Sequence, residues 1–220
     1  MIPLYLCQLC HQQTSEPYIC RGCYQDLPVV SQAIPSLLAQ QNPDIDQVFC
    51  PYLYQPPVSY LIQQLKYHKH YSYARLLAYL FCKKLQEHIN LMPSYTARMP
   101  EQAIPVPLHR HRLRSRGFNQ SFELARFIGK GITQNRKFVQ YHLCERTRHT
   151  PAQAGLSKKQ RQINVKNAFT LTRSLSCQHF VIVDDVFTTG STAANLAKSL
   201  KNMGAQRVDV WVIAFAELKK

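Results

Sequence analysis

The chain has 220 residues and a formal net charge of +15, from 27 Lys and Arg against 12 Asp and Glu. A chain of this length can bury one good hydrophobic core and a small additional module. No segment approaches the roughly 18 uninterrupted apolar residues of a membrane-spanning helix, which excludes membrane insertion. No basic segment followed by a long apolar run indicates a signal peptide, so we expect a cytoplasmic protein.

The N-terminal segment contains four of the eight cysteines, arranged as two Cys-x-x-Cys pairs: Cys7 with Cys10, and Cys20 with Cys23. The tight turn of each pair lets two thiolates reach one metal ion, and two pairs complete a closed tetrahedral site. We therefore predict a structural Zn²⁺ site in a small zinc-ribbon-like module over residues 1–27. A redox-active dithiol is the alternative interpretation, although nothing around the first pair indicates a thioredoxin-like strand and helix.

The middle of the chain begins with residues 28–57, which we predict to be a linker followed by the first strand of the fold. A polar Gln-Gln-Asn-Pro stretch indicates the linker, and alternating residues over 48–54 indicate the strand. From Val58 the apolar residues follow a helical spacing, which breaks around 68–72 and resumes as far as Leu85. Residues 93–100, between two prolines, are predicted to be a loop.

The remaining residues alternate between predicted strands and predicted helices. The strands are expected at 103–107, 141–144, 168–171, 180–183 and 208–215, and the helices at 121–128 and after residue 192. Residues 109–116 are expected to be a basic loop, and 146–166 a long loop with helical fragments. This order predicts an α/β fold with a parallel sheet flanked by helices.

The excess of positive charge is concentrated in residues 109–173, which carry fifteen Lys and Arg against two Asp and Glu. Such a segment suits polyanions: a nucleic acid, a phosphorylated ligand, or both. A solvated basic face is the alternative interpretation. Acids usually alternate with the basic residues on such a face, however, and here they are nearly absent.

The most informative segment is 180–192, where a short apolar run predicts a buried parallel strand that ends in two adjacent carboxylates. A hydroxyl-rich turn follows, and it would direct N–H groups and a helix N-terminus at one point, as in a phosphate site. The carboxylates could accept hydrogen bonds from ribose hydroxyls or hold hydrated Mg²⁺. The alternative is that these side chains merely cap the helix. We predict a ribose 5-phosphate site formed by Asp184, Asp185, Thr188, Thr189, Gly190, Ser191 and Thr192.

This segment resembles the phosphoribosyl pyrophosphate (PRPP) binding motif of type I phosphoribosyltransferases. Several blocks together, in order and spacing, resemble the ComF family of phosphoribosyltransferase-like proteins. The blocks are the two Cys-x-x-Cys pairs and residues 65–67, 104–108, 116–120, 150–156, 161–165 and 184–192. The resemblance implies a phosphoribosyltransferase-like domain over residues 58–220 and Mg²⁺ bound with PRPP. It also implies a role in natural transformation on incoming single-stranded DNA, with a helicase-like DNA translocation protein as partner.

The resemblance further implies roles for individual residues. The loop after the strand at 104–106 would hold pyrophosphate, and residues 146–164 would form a mobile hood over the ligand. Any basic loop can instead be merely solvated. The pyrophosphate and hood residues are Arg110, Arg112, Arg114, Arg116, Gln153, Arg161 and Asn164. The nucleic-acid contacts are Lys66, Arg112, Arg114, Arg116, Phe118, Lys158 and Lys159. Tyr67, Tyr71 and Tyr141 are further stacking candidates, with a core position as the alternative for Phe118 and Tyr141.

Two functional classes remain open at this point. Purine salvage enzymes carry an aspartate at the position of Thr188, so a purine-salvage role is not expected, and no catalytic residue is assigned. The first class is a competence protein that binds PRPP and contacts single-stranded DNA. The second is an active phosphoribosyltransferase that releases pyrophosphate from PRPP to an unidentified acceptor.

Overall fold

The fold was analysed in a computed structural model that describes residues 5–31, 33–68, 70–146 and 169–217. The strands are β1 (Tyr5–Leu6), β2 (Gln13–Thr14), β3 (Gln47–Phe49), β4 (Tyr52–Leu53), β5 (Gln102–Pro105), β6 (Cys144–Arg146), β7 (Phe169–Leu171), β8 (His179–Phe187) and β9 (Arg207–Phe215). The helices are α1 (Arg21–Gln25), α2 (Ala33–Gln40), α3 (Val58–His68), α4 (Ser72–Leu91), α5 (Arg110–Arg116), α6 (Gln120–Ile132) and α7 (Ser191–Asn202), with a 3₁₀ helix at Pro93–Arg98.

The central sheet has the strand order β3-β9-β8-β5, and all of its pairings are parallel. The strand β4 continues beside β9 beyond the end of β3. Parallel strands need helical crossovers, and these cover the two faces of the sheet. The α/β fold with a mostly parallel sheet flanked by helices is therefore confirmed.

Successive side chains of β8 point to opposite faces of the sheet, and apolar residues lie on both faces. Val181 and Val183 belong to a buried cluster with apolar residues of α3, α4 and α6. Phe180 and Ile182 belong to a second buried cluster with residues of α2 and α7. The strand is buried on both faces, which explains its nearly continuous apolar sequence.

The strand predicted at 48–54 is two short strands, β3 and β4, which both pair with β9. Pro51 lies between them and has no N–H to donate to a strand ladder, which accounts for the interruption. The segment 28–57 also contains α2, which packs beside β3. The strand predicted at 168–171 corresponds to β7, whereas the strand predicted at 141–144 lies later, as β6, and overlaps the prediction only at Cys144. These two strands form a separate antiparallel pair.

The basic loop predicted at 109–116 is wrong, because these residues form α5. Arg and Leu favour helices, and the side chain of His109 accepts a hydrogen bond from the N–H of His111 at the N-terminus. Gly117 ends the helix with φ of 82°, a left-handed conformation that glycine adopts without steric cost. The arginines of this segment therefore project from a helix with two distinct faces.

The N-terminal residues pack against α4. The carboxylate of Glu16 accepts hydrogen bonds from Lys83 Nζ at 2.8 Å and from Tyr79 Oη at 3.0 Å. Cys7 and Ile19 are buried in the same cluster as the apolar residues of α3 and α4.

Among the helices of the described residues, none combines the length and apolar character that crossing a bilayer requires.

Candidate functional site

The candidate site is a cleft of about 500 Å³ at the carboxyl ends of β5, β8 and β9. Its lining comes from the end of β8, the turn before α7, the start of α7, one face of α5 and the end of α3. Open α/β sheets bind their ligands at this edge, because the loops that follow parallel strands converge there. All seven residues predicted from the 180–192 motif line the cleft.

The turn before α7 is shaped around Gly190, whose φ is +71°. A Cβ atom at this position would lie 2.8 Å from Cε1 of the Phe187 ring, so only glycine fits both the conformation and the space. The hydroxyls of Thr189 and Ser191 are hydrogen-bonded at 2.7 Å.

The first turn of α7 is open. Apart from a long hydrogen bond of 3.4 Å from the Ser191 N–H to Thr189 Oγ1, no side chain within the described ranges caps it. Uncapped N–H groups at a helix N-terminus favour an anion. The start of this helix therefore has N–H groups available to an anion, and it is not the fully capped helix end of the alternative interpretation.

Asp184 is held by two hydrogen bonds to its Oδ1 atom, from Ser121 Oγ at 2.7 Å and from the Asp185 N–H at 2.9 Å. Burial, together with the negative charge of Asp185, raises its pKa to about 7. A nearby cation or a hydroxyl donor would stabilise the ionised form of this carboxylate. Its oxygen chemistry fits Mg²⁺, which prefers carboxylates and water.

Asp185 is 3% exposed, and its charge is balanced within the protein. Its Oδ2 atom forms an ion pair with Lys66 Nζ, and its Oδ1 atom accepts a hydrogen bond from Gln120 Nε2 at 3.1 Å. Burial alone would raise the pKa of Asp185, but the ion pair with Lys66 holds it below the ordinary value. Lys66, predicted as a nucleic-acid contact, thus lies inside the cleft with its ammonium group paired to an acid.

The start of α6 supports both carboxylates. The Oδ1 atom of Asn119 accepts a hydrogen bond from the Ser121 N–H at 2.9 Å, and its Nδ2 atom donates to the Val106 carbonyl at 3.0 Å. This cap connects the helix to the end of β5 and directs Gln120 and Ser121 at the acid pair. These side chains were not among the residues predicted for the site, although an Asn-Gln-Ser sequence at the start of an amphipathic helix is typical of a helix cap.

The four arginines of α5 fall into two pairs, each related by one turn of helix. Arg112 and Arg116 are half-buried and line the cleft, whereas Arg110 and Arg114 are exposed on another face. Arg116 donates a hydrogen bond to Gln120 Oε1. The structure therefore brings only two of the four predicted pyrophosphate arginines to the cleft.

The predicted stacking residues differ in exposure. Tyr67 is 70% exposed at the rim of the cleft, with the Arg116 guanidinium 5.6 Å from its ring centroid. Phe118 is 8% exposed and packs edge-on against Tyr71 with centroids 4.8 Å apart. Tyr141 packs against Phe122. The exposed rings are thus those of α3 and the α3–α4 connection.

Most of the predicted hood lies outside the described residues. This holds for Gln153, Lys158, Lys159, Arg161 and Asn164. Arg146, where the predicted hood begins, lines the cleft, and its guanidinium lies 5.7 Å from the centroid of the Phe169 ring.

The predicted metal ligands Cys7, Cys10, Cys20 and Cys23 converge at a second location, with all four sulfur atoms within 4.8 Å of one another. Although burial of Cys7 would raise its pKa, backbone N–H groups around its sulfur lower that pKa to about 6. Four thiols at this separation, one of them readily ionised, fit a tetrahedral thiolate site. The cluster could bind a metal ion such as zinc.

Comparison with known proteins gives matches along nearly the whole chain. Competence protein F of Haemophilus influenzae is 33% identical over 218 residues, which cover 96% of this chain and 90% of that protein. DNA utilization protein YhgH of Escherichia coli K12 is 34% identical over 212 residues, covering 94% and 89%. The protein of the same name in Salmonella typhimurium is also 34% identical over 212 residues, with the same coverage. No protein-family model matches the chain.

Proposed function

The chain belongs to the ComF family, which includes competence protein F and DNA utilization protein YhgH, and from this membership we propose that it acts in DNA uptake or use by binding PRPP with Mg²⁺ and single-stranded DNA. The names of these relatives support the DNA-related role. A helicase-like DNA translocation protein is the proposed partner, in line with the family resemblance of the sequence blocks.

The PRPP proposal rests on one observation: three kinds of group lie in the same cleft. The acid pair Asp184 and Asp185 precedes the open N-terminus of α7, and Arg112 and Arg116 line the same cleft. A ribose that carries a 5-phosphate and a pyrophosphate needs these three elements: hydroxyl acceptors, an anion site, and guanidinium donors for the second anion. A single phosphate would need only one of them.

Magnesium fits the same proposal. Asp184 would hold the ion, directly or through water, because its carboxylate lines the cleft and its pKa is raised by burial and by the charge of Asp185, both of which a cation would offset. Asp185, already paired with Lys66, would orient its neighbour through the backbone hydrogen bond between them. When bound, Mg²⁺ would supply positive charge that neutralises the pyrophosphate oxygens.

An active phosphoribosyltransferase is the second candidate. In the described part of the cleft lining, the carboxylates are Asp184 and Asp185. Both belong to the ribose and metal side of the proposed site, so no further acid is available to assist a nucleobase acceptor. We therefore expect no pyrophosphate release above background when the protein is incubated with Mg²⁺, PRPP and each common base, and robust release with any base would favour the enzyme.

Calorimetric titration with PRPP in the presence of Mg²⁺ tests whether the arginines of α5 that line the cleft contact the ligand. The double variant Arg112→Ala/Arg116→Ala should lose more than about 2 kcal/mol of binding free energy, because each arginine would form a charge-assisted contact with pyrophosphate. The double variant Arg110→Ala/Arg114→Ala removes the same charge from the same helix and should bind PRPP as the wild type does. Equal losses in both variants would contradict the assignment of the cleft, and so would absence of PRPP binding by the wild type.

A further inference from the structure

The surface beside the cleft combines exposed aromatic rings with uninterrupted positive charge. It is formed by the end of α3, the α3–α4 connection and α5. The sequence has no Asp or Glu between residues 46 and 87, and none between 101 and 123. Single-stranded nucleic acids bind surfaces of this kind, because basic groups follow the phosphates while aromatic rings stack on the bases.

Two tyrosines of this surface are exposed and held in position by their neighbours. Tyr67 is held by the Arg116 guanidinium over its ring, and Tyr71 by the edge-on contact with the buried Phe118. A ring that is already ordered loses little conformational freedom when a base stacks on it. These contacts join the end of α3 to α5, and the α3–α4 connection to the residue that follows Gly117. Arg110 and Arg114 lie on the same seven-residue helix as Arg116, so the rings and the exposed arginines flank one short helix.

The helix α5 separates two sets of arginines. Arg112 and Arg116 are directed at the cleft, whereas Arg110 and Arg114 are exposed. A small ligand inside the cleft cannot use the exposed pair, and an extended polyanion outside the cleft can. Exposed arginines at a one-turn spacing can contact successive phosphates of a strand that passes along the helix.

From these observations we propose that Tyr67, Tyr71, Arg110 and Arg114 form a track for single-stranded DNA that passes the mouth of the cleft. Apart from Tyr67 at the rim, these residues do not line the cleft, so DNA and PRPP would bind at the same time. This inference rests on the proposed function, and it adds which residues contact the DNA and how the two ligands are related. Lys66, which is paired with Asp185, takes no part in the track.

Fluorescence anisotropy with a labelled oligothymidylate, measured over a series of salt concentrations, tests the track. The variant Tyr67→Ala/Tyr71→Ala should bind at least about fivefold more weakly for each lost stacked base, at every salt concentration and with an unchanged salt slope. The variant Arg110→Ala/Arg114→Ala should instead reduce the salt slope by about 1.4, since each released phosphate contact accounts for about 0.7. Tyr67→Phe/Tyr71→Phe should restore wild-type affinity.

Two control variants carry matched changes elsewhere. Tyr60→Ala removes another exposed tyrosine of α3, two turns from Tyr67, and should leave DNA affinity unchanged. Arg75→Ala/Arg136→Ala removes two exposed arginines outside the track and should leave the salt slope unchanged. Saturating PRPP with Mg²⁺ should not release DNA from the wild-type protein.

The outcomes separate this inference from the proposed function. If the wild type binds DNA but the tyrosine variant and the Tyr60→Ala control bind it equally well, the track is wrong while DNA binding stands. Displacement of DNA by PRPP would overturn simultaneous binding and indicate a shared site. If the wild type fails to bind DNA even at low salt, the DNA part of the proposed function fails with the track, whereas PRPP binding is judged by calorimetry alone.

Discussion

Replacement of Lys66 with methionine should destabilise the protein strongly, because it leaves Asp185 buried without its counter-ion. The Asp185 side chain is 4% exposed, and without Lys66 it keeps the hydrogen bond from Gln120 and the more distant positive charge of Arg116, beside the like charge of Asp184. Removal of one partner of a buried ion pair costs about 3–5 kcal/mol. If Asp185 became neutral instead, its protonation at pH 7 would cost about 1.4 kcal/mol for each of the roughly three pH units above the ordinary pKa of an aspartate, which gives a similar loss.

Urea unfolding followed by circular dichroism measures this loss. The pKa of Asp185 is lowered in the folded protein, so the ion pair stabilises it above the unfolded pKa near 3.8, and that stability is lost as the pH falls through the folded value. In Lys66→Met the pKa of Asp185 rises, so the difference from the wild type should be about 4 kcal/mol at pH 7 and shrink towards pH 4.

The control variant for this experiment is Lys201→Met, which breaks a more exposed ion pair of 2.7 Å with Asp46. Exposed pairs contribute at most about 1 kcal/mol, so this variant should unfold almost as the wild type does. The double variant Lys66→Met/Asp185→Leu should recover much of the loss, because it removes the buried charge as well. A loss below about 1 kcal/mol in Lys66→Met at pH 7 would refute the assignment of Lys66 as an internal counter-ion.

Three further predictions concern the cleft and the cysteine cluster. Gly190→Ala should abolish PRPP binding in calorimetry because its Cβ has no space beside the turn, whereas Gly204→Ala, also at positive φ but with open space around the new Cβ, should retain it. The pKa of Asp184 is raised to about 7, so ionisation of this carboxyl lowers the stability of the folded protein as the pH rises from about 4 to 7, and Asp184→Asn should unfold at higher urea than the wild type at pH 8 without Mg²⁺ but not at pH 5. Elemental analysis should find one zinc ion per chain, and Cys7→Ser/Cys10→Ser should lose it; full metal content in that variant would exclude the four-thiolate site.

Features encoded in a few consecutive residues were predictable from the sequence. The parallel strand β8, the acid pair near its end and the turn at Gly190 form one continuous segment, and the structure puts residues 184–192 of that segment at the cleft. The four cysteines likewise needed only their spacing, because each pair is a local turn. In these cases the backbone conformation of a short segment is enough to bring the functional atoms together.

Other features of the cleft depend on residues far apart in the chain. Lys66 and Asp185 are 119 positions apart, and only the packing of α3 beside the end of β8 makes one the counter-ion of the other. Gln120 and Ser121 reach the acid pair because the Asn119 cap fixes the start of α6 against β5. A pattern of charges along a sequence contains no information on such distances.

The arginines of α5 show most clearly which features the sequence predicts and which depend on the tertiary structure. Their number and charge were visible in the sequence, and from these we predicted contacts with anions. Their division between the cleft and the outer surface follows from two facts of folded structure: residues 110–116 form a helix, and one face of that helix packs against the cleft. Helical periodicity places alternate arginines on different faces of α5. Which of these faces lines the cleft is determined by how the helix packs in the folded protein.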